Sequence, residues 1–224
     1  MTIPLPQPEA SRISRLAAWL LRHFFQLLYH QFAWTYDLVA WVVSLGRWND
    51  WIRASIPYIH GPVVLELGHG PGHLQDALST SRMTVIGLDQ SPQMSRQAHH
   101  RLLRKGIPPK LIQGQSQSLP FASNALSQLI ATFPSEYIAD HQTLSEVYRV
   151  LTPGSSAVIL IFAWITGHKP LERLAAWLFR VTGEAPAWDD RFLMPARAIG
   201  FITRTEFIEL SSSKLLFLHL QKPF

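Results

Sequence analysis

The chain has 224 residues, 47% hydrophobic and 16% charged, with no cysteine. That length fits one domain with a modest appendage. The composition excludes a disordered chain, and the missing thiols exclude disulfide scaffolds, thiolate nucleophiles and iron–sulfur or zinc–thiolate sites. Twenty Lys and Arg against fifteen Asp and Glu give a net charge of +5, which suits an anionic partner: a nucleic acid, an anionic lipid surface or an acidic metabolite.

The N-terminal quarter stands apart, holding 11 of the 25 aromatic residues in its first 60 positions. No acid occurs from Ala10 to Tyr36, while Arg12, Arg15, Arg22, His23, Gln26 and His30 recur opposite Ile13, Leu16, Leu20, Leu21, Phe24 and Leu28. That period predicts an amphipathic helix. Its longest apolar run, Leu16 to Leu21, is far too short to span a bilayer. No cleavage pattern of a secretory signal follows; the Arg and Ser bias leaves an organellar transit peptide open. Two further readings stay open: a lid packed on the domain, or a helix lying in an anionic lipid interface.

Beyond Gly61, short apolar runs alternate with helical stretches. Strands are predicted at 62–67, 83–88, 110–113, 128–133 and 157–162, and helices at 72–78, 92–105 and 141–151. This βαβ alternation predicts an α/β fold with a Rossmann-like, doubly wound, mostly parallel sheet, whose ligands sit at the strands' carboxyl ends. A further amphipathic helix is expected at 169–181, within an insertion at about 167–185, followed by a loop with Pro186 and Pro195. Two alternating stretches, 201–210 and 215–221, joined by Ser211-Ser212-Ser213, predict a terminal antiparallel hairpin and bring the sheet to seven strands. The expected organisation is a helical cap over 1–60 and a ligand-binding domain over 61–224.

The chemistry-bearing segment is V-V-L-E-L-G-H-G-P-G-H, Val63 to His73. Glycines at 68, 70 and 72 permit a tight turn with close backbone approach to a ligand, and the next helix offers free N–H groups. The third glycine of G-x-G-x-x-G would fall at His73, and no Gly-Lys-Ser/Thr follows, so neither a dinucleotide fingerprint nor a P-loop is present. What remains is E-x-G-x-G-x-G. With G-L-D-Q-S-P-Q-M around Asp89, Q-S-L-P-F at 117–121, I-A-T-F-P at 130–134 and E-V-Y-R-V-L-T-P-G at 146–154, the chain resembles the class I S-adenosylmethionine-dependent methyltransferases over about 63–161 and the terminal hairpin.

This resemblance implies S-adenosylmethionine as cofactor and no metal. Gly68, His69, Gly70 and Gly72 would border its methionine part, Glu66 would act through the turn on the amino group, and Asp89 would hold the ribose hydroxyls. Gln90 and Met94 would flank the adenine, with Gln115, Ser116 and Phe133 completing the pocket. Met94 fits a plain core position as well, and His69 and His73 a solvated one. Three positions depart from the family pattern: Gln115 stands for an acid facing the adenine amino group, Ser127 for an aspartate opening the fourth strand, and Ser155 for a second glycine. These leave a non-catalytic cofactor-binding protein as an alternative.

Methyl transfer needs an acceptor held in line with the sulfonium and water excluded. Ala131-Thr132-Phe133-Pro134-Ser135 lacks the Asn/Asp-Pro-Pro-aromatic tetrapeptide of methyltransferases acting on planar amines. Glu136, Tyr137 and His141 follow. His141 is the candidate base, or else an exposed helix-start residue. Tyr36 in W-T-Y-D is similar to a tyrosine that covers the cofactor in related enzymes, or else a core residue. The nearest families in character are quinone-biosynthesis C-methyltransferases and bacterial phospholipid N-methyltransferases. Their lipid-tailed acceptors imply a hydrophobic small molecule or lipid, with a soluble lidded enzyme for a small polar acceptor as the alternative. The expected location is cytoplasmic, with peripheral contact to the inner membrane face. The basic residues are scattered and form no patch interleaved with aromatics on the sheet, so no nucleic acid is expected.

Overall fold

The computed structural model describes residues 36–81, 83–167, 169, 172 and 190–224; the side chains of 36–39 and 190–191 lie outside the description. The expected helices at 10–36 and 169–181 therefore fall outside the described residues, apart from Tyr36, Lys169 and Glu172. Helices are α1 (Tyr36–Val43), α2 (Trp48–Arg53), α3 (His73–Ala77), α4 (Pro92–Arg104), α5 (His141–Val150) and α6 (Met194–Ile199). Strands are β1 (Val63–Leu67), β2 (Thr84–Asp89), β3 (Leu111–Gln113), β4 (Leu126–Thr132), β5 (Leu151–Ile165), β6 (Ile202–Leu210) and β7 (Ser213–Gln221).

They form one seven-stranded sheet in the order β3-β2-β1-β4-β5-β7-β6. β1 pairs in parallel with β2 and β4, β2 with β3 and β4 with β5, whereas β7 runs antiparallel to both β5 and β6. The strand order reverses at β1. The crevice beyond the carboxyl ends of β1 and β4 is therefore the place where this topology receives ligands.

The apolar runs are continuous because the central strands are buried on both faces. Leu65, Leu67, Leu129, Ala131 and Ile159 join Val147 and Val150 of α5 and Ala196 of α6 on one side. Val64, Ile130, Val158 and Phe217 join Trp51 and Ile52 of α2 and Leu74 of α3 on the other. The tryptophan-rich stretch thus packs in part against the sheet, Trp51 at 3% exposure. Local chemistry starts the helices: Ser91 Oγ accepts from Met94 N at the head of α4, with Pro92 in its first turn. Asp140 Oδ2 does the same for Thr143 N of α5.

The structure departs from the predicted elements where turn residues sit inside ladders. The strand expected at 157–162 is longer at both ends, β5 running from Leu151 to Ile165 through Pro153-Gly154. Pairing to β4 resumes at Gln128↔Ser156 across an irregularity, and Gly154 takes φ +80° while its N–H donates to Lys222 O. Pro195, assigned to a loop, lies in the first turn of α6, where its missing N–H costs nothing. Ser213 pairs with Leu210, so the hairpin turn is only Ser211-Ser212.

Candidate cofactor site

The turn between β1 and α3 takes the conformation its glycines allow: φ is +73° at Gly68, +54° at Gly70 and +85° at Gly72. It is tied to the next strand. Gly68 N donates to Leu88 O at 2.7 Å and Gly70 N to Asp89 Oδ2 at 2.9 Å. The other oxygen of Asp89 accepts from Ser91 N at 2.8 Å. Glu66, 1% exposed, accepts from Gln75 Nε2 of α3 at 2.9 Å. Neither carboxylate is bonded to a lysine or arginine among the described residues, so both are left to attract a cation or to accept from hydroxyls.

Burial above all, against the opposing hydrogen bond from Gln75 and with a smaller push from nearby Asp89, raises the Glu66 carboxyl to about 8. Tyr137, a residue weighed only for the acceptor side, completes the cluster. Its hydroxyl donates to Leu67 O at 3.2 Å and covers Gly68, where a side chain would collide with it. Burial, then Asp89 and Glu66, hold the phenol well above its usual range. Gln75 and Tyr137 had no motif of their own; only the fold brings them to the turn.

His69 is not solvated: it is 3% exposed and packs toward Gly87 of β2. Its Nδ1 lies 2.7 Å from Gly70 O. A carbonyl only accepts, so Nδ1 carries the proton and Nε2 is a buried acceptor without a partner. Burial lowers its basicity, opposed by Asp89. Met94 is 4% exposed, in keeping with a core position; Gln90 is exposed. Ser116 is buried against Thr143, Oγ to Oγ1 at 2.9 Å, and Gln115 is exposed just beyond β3. Phe133, at φ +50°, stacks on Trp48 with centroids 4.6 Å apart and also meets Trp51. His141 is exposed at the first turn of α5, and its ring joins none of these bonds. Tyr36 opens α1; its side chain lies outside the described residues.

Two of the three departures sit away from this crevice. Ser127 Oγ donates to Val63 O and accepts from Val63 N, and Ser155 meets Thr152, both at the amino ends of their strands. Only Gln115 lies on the crevice side.

The turn fits S-adenosylmethionine on its own geometry. A side chain at Gly70 would meet nothing within 4 Å, whereas one at Gly72 would lie 3.0 Å from Ala98 Cβ and 3.2 Å from its Cα. Open space therefore lies over Gly70 and helix α4 behind Gly72. Gly72→Ala is expected to cost about 2–4 kcal/mol from left-handed strain and overpacking, lowering Tm by roughly 5–15 °C. Gly70→Ala, with no neighbour to strike, should cost only about 1–2 kcal/mol and weaken cofactor binding. Thermal melts with and without S-adenosylhomocysteine separate the two; equal melts for both variants would contradict the assignment of the open side.

A family model described as a methyltransferase domain matches residues 64–154. The chain is 32% identical over 139 residues to a ubiquinone/menaquinone biosynthesis C-methyltransferase of Legionella pneumophila (strain Corby), covering 57% of this chain and 56% of that protein. It is 26% identical over 165 residues to a chloroplastic 2-methyl-6-phytyl-1,4-hydroquinone methyltransferase 1 of Oryza sativa subsp. japonica, covering 70% and 46%. The chain thus spans about half the length of these curated relatives. Among solved structures, phosphoethanolamine N-methyltransferase 2 of Haemonchus contortus, in complex with phosphomonomethylethanolamine and S-adenosylhomocysteine, aligns with TM-score 0.57 at 17% identity. That alignment covers 80% of this chain and 53% of that one, a likeness of fold. The seven-stranded sheet, the glycine turn and these matches agree: over residues 64–154 the chain matches a methyltransferase domain, and it resembles the class I S-adenosylmethionine-dependent methyltransferases, the quinone C-methyltransferases among them.

Proposed function

We propose that the protein transfers the methyl group of S-adenosylmethionine to a hydrophobic small-molecule acceptor, a prenylated quinone precursor in the first instance. The observation that carries the reading is the pairing of buried Glu66 and Asp89 around a turn open at Gly70. Bound S-adenosylmethionine supplies a methyl group on a cationic sulfur, a poor partner for lysine or arginine and a good one for two carboxylates. In this reading Asp89 holds the ribose, Glu66 favours the amino group through the turn, and Gly68, Gly70 and Gly72 flank the methionine part. His69 braces the turn from beneath. Gln90, Met94, Gln115, Ser116 and Phe133 border the nucleoside side, and Tyr137 locks the turn to β1. His141 and Tyr36 remain the candidates for the acceptor side.

The quinone acceptor draws on the relatives' named substrates and on the aromatic cluster of Trp48, Trp51 and Phe133 next to β4's end. A second reading, a phospholipid amine, draws on a different observation. A cavity of about 950 Å³ beside the carboxyl end of β5 is lined by Arg47, Lys169, Glu172, Glu209 and Lys214, a charged lining that suits an anionic head better than a prenyl tail. Residues 1–60 are the proposed cap, and the basic segment at 10–36 the proposed peripheral contact with anionic lipid. Among the described residues no helix is long and apolar enough to cross a membrane. The test supplies methyl-labelled S-adenosylmethionine with a demethylated prenyl quinol or with phosphatidylethanolamine vesicles. Label in the quinol supports the first reading and label in the lipid the second. Cofactor binding without label in either, or in a panel of small polar acceptors, would mean a binding protein without catalysis.

A further inference from the structure

We propose that the outer face of α4, with the adjoining edge strand β3, docks on an anionic lipid surface. Between Gln90 and Ser135 the chain carries Arg96, Arg101, Arg104, Lys105 and Lys110 and no Asp or Glu. Scattered in sequence, Arg96, Arg104 and Lys110 are gathered by the fold on one flank, all three exposed. Arg96, His99, His100, Leu103 and Arg104 are all exposed, and their spacing of three and four residues places them on one side of α4. Met94, Ala98 and Leu102 are buried on the opposite side. Lys110 is exposed immediately before β3, its Nζ donating to Thr84 Oγ1. Among the described residues, the acid that reaches this flank from a neighbouring helix is Asp76 of α3, and it is taken by Lys105 at 2.6 Å.

Two features select a lipid headgroup among anions. Leu103 is 52% exposed in the middle of the cationic face, and a leucine ringed by cations gains free energy only where an apolar phase lies beneath the charges. No aromatic residue occurs between Gln90 and Pro120, so the face has no platform on which bases could stack. Between α4 and β3 runs a groove of about 360 Å³ lined by Ser95, Arg96, His99, His100 and Gln113, wide enough for a phosphodiester. Ser95 Oγ is buried there without a hydrogen-bond partner in the structure. Helix α4 itself is capped at Ser91, whose N–H donates to Asp89, so the helix that carries this face also carries a contact to the cofactor turn.

This surface is independent of the methyl-transfer reading, since vesicle binding is measured on the full chain without methyl donor or acceptor; the basic segment at 10–36 is the same in parent and variants, so the ratio between them reads the α4 face alone. Flotation with phosphatidylglycerol–phosphatidylcholine vesicles is compared with phosphatidylcholine alone, at low and high salt. The expected result is anionic-lipid binding that weakens with salt and falls at least about tenfold in the triple variant Arg96→Gln, Arg104→Gln, Lys110→Gln. Leu103→Gln should lower it by roughly threefold at either salt. All four positions are exposed, so melting temperatures should stay near that of the parent chain. The proposal is overturned if the triple variant partitions like the parent chain, if anionic and neutral vesicles bind alike, or if an RNA oligomer binds more tightly than the vesicles and is lost in the same variant.

Discussion

Asp89→Asn is expected to weaken binding of S-adenosylhomocysteine by about 100-fold, corresponding to about 3 kcal/mol. Both oxygens of Asp89 already work for the fold, one accepting from Gly70 N and the other from Ser91 N. Each oxygen keeps a second lone pair, so the same carboxylate can accept from the ribose hydroxyls while holding the turn closed. Hydrogen bonds to a charged acceptor contribute about 1.5–3 kcal/mol each. The asparagine keeps one neutral oxygen and sets an NH2 against a backbone N–H that needs an acceptor. Asp89→Ala should lose the binding altogether and cost stability as well, because the turn and the head of α4 share that side chain. Equilibrium dialysis on a variant with parental near-UV circular dichroism checks the number. A dissociation constant within threefold of the parent's would remove Asp89 from the site.

Unfolding experiments in the absence of ligand should show stability falling as pH rises between about 4.5 and 8, by a few kcal/mol, a difference that Glu66→Gln abolishes. The sign follows from proton counting. Glu66 has its folded value raised from 4.5 to about 8. Below 4.5 both states hold the proton; between the two values the unfolded chain has ionised while the folded one retains it; above 8 both are ionised and the loss is complete. A shift of that size has a ceiling of about 5 kcal/mol. Buried His69, with its value lowered, acts oppositely and at lower pH, so the difference between parent and variant isolates Glu66. A cationic ligand beside the carboxyl favours its ionised form, hence cofactor binding should release a proton in the parent and none in the variant. Parallel pH–stability curves for the two proteins would contradict this.

What could be read in the residues, and what could not, divides along physical lines. The strands of the parallel half announced themselves because burial on both faces demands unbroken apolar runs such as Val63 to Leu67. The glycine turn did so because positive φ three times within five residues excludes other side chains. α2 falls within the helical cap expected over 1–60, but its six residues are too few to show a helical period that would mark its bounds. β5 was cut short because Pro153-Gly154 breaks most ladders, and here the C-terminal segment at Lys222 supplies the bonds that carry the strand through. Within the site, Glu66 and Asp89 came with motifs, whereas Gln75 and Tyr137 act through contacts separated by 9 and 70 residues, for which a single sequence holds no local signal. The cationic flank of α4 was invisible for the same reason: its unity is spatial.

The central claim is that the turn after Glu66, closed by Asp89, holds S-adenosylmethionine. Calorimetric titration of the full chain with S-adenosylhomocysteine tests it most directly. The account predicts saturable one-to-one heat, accompanied by a rise in melting temperature, retained in the triple α4 variant and lost in Asp89→Ala. Absence of both heat and thermal shift in a folded parent protein, or equal heat with Asp89→Ala, would contradict it.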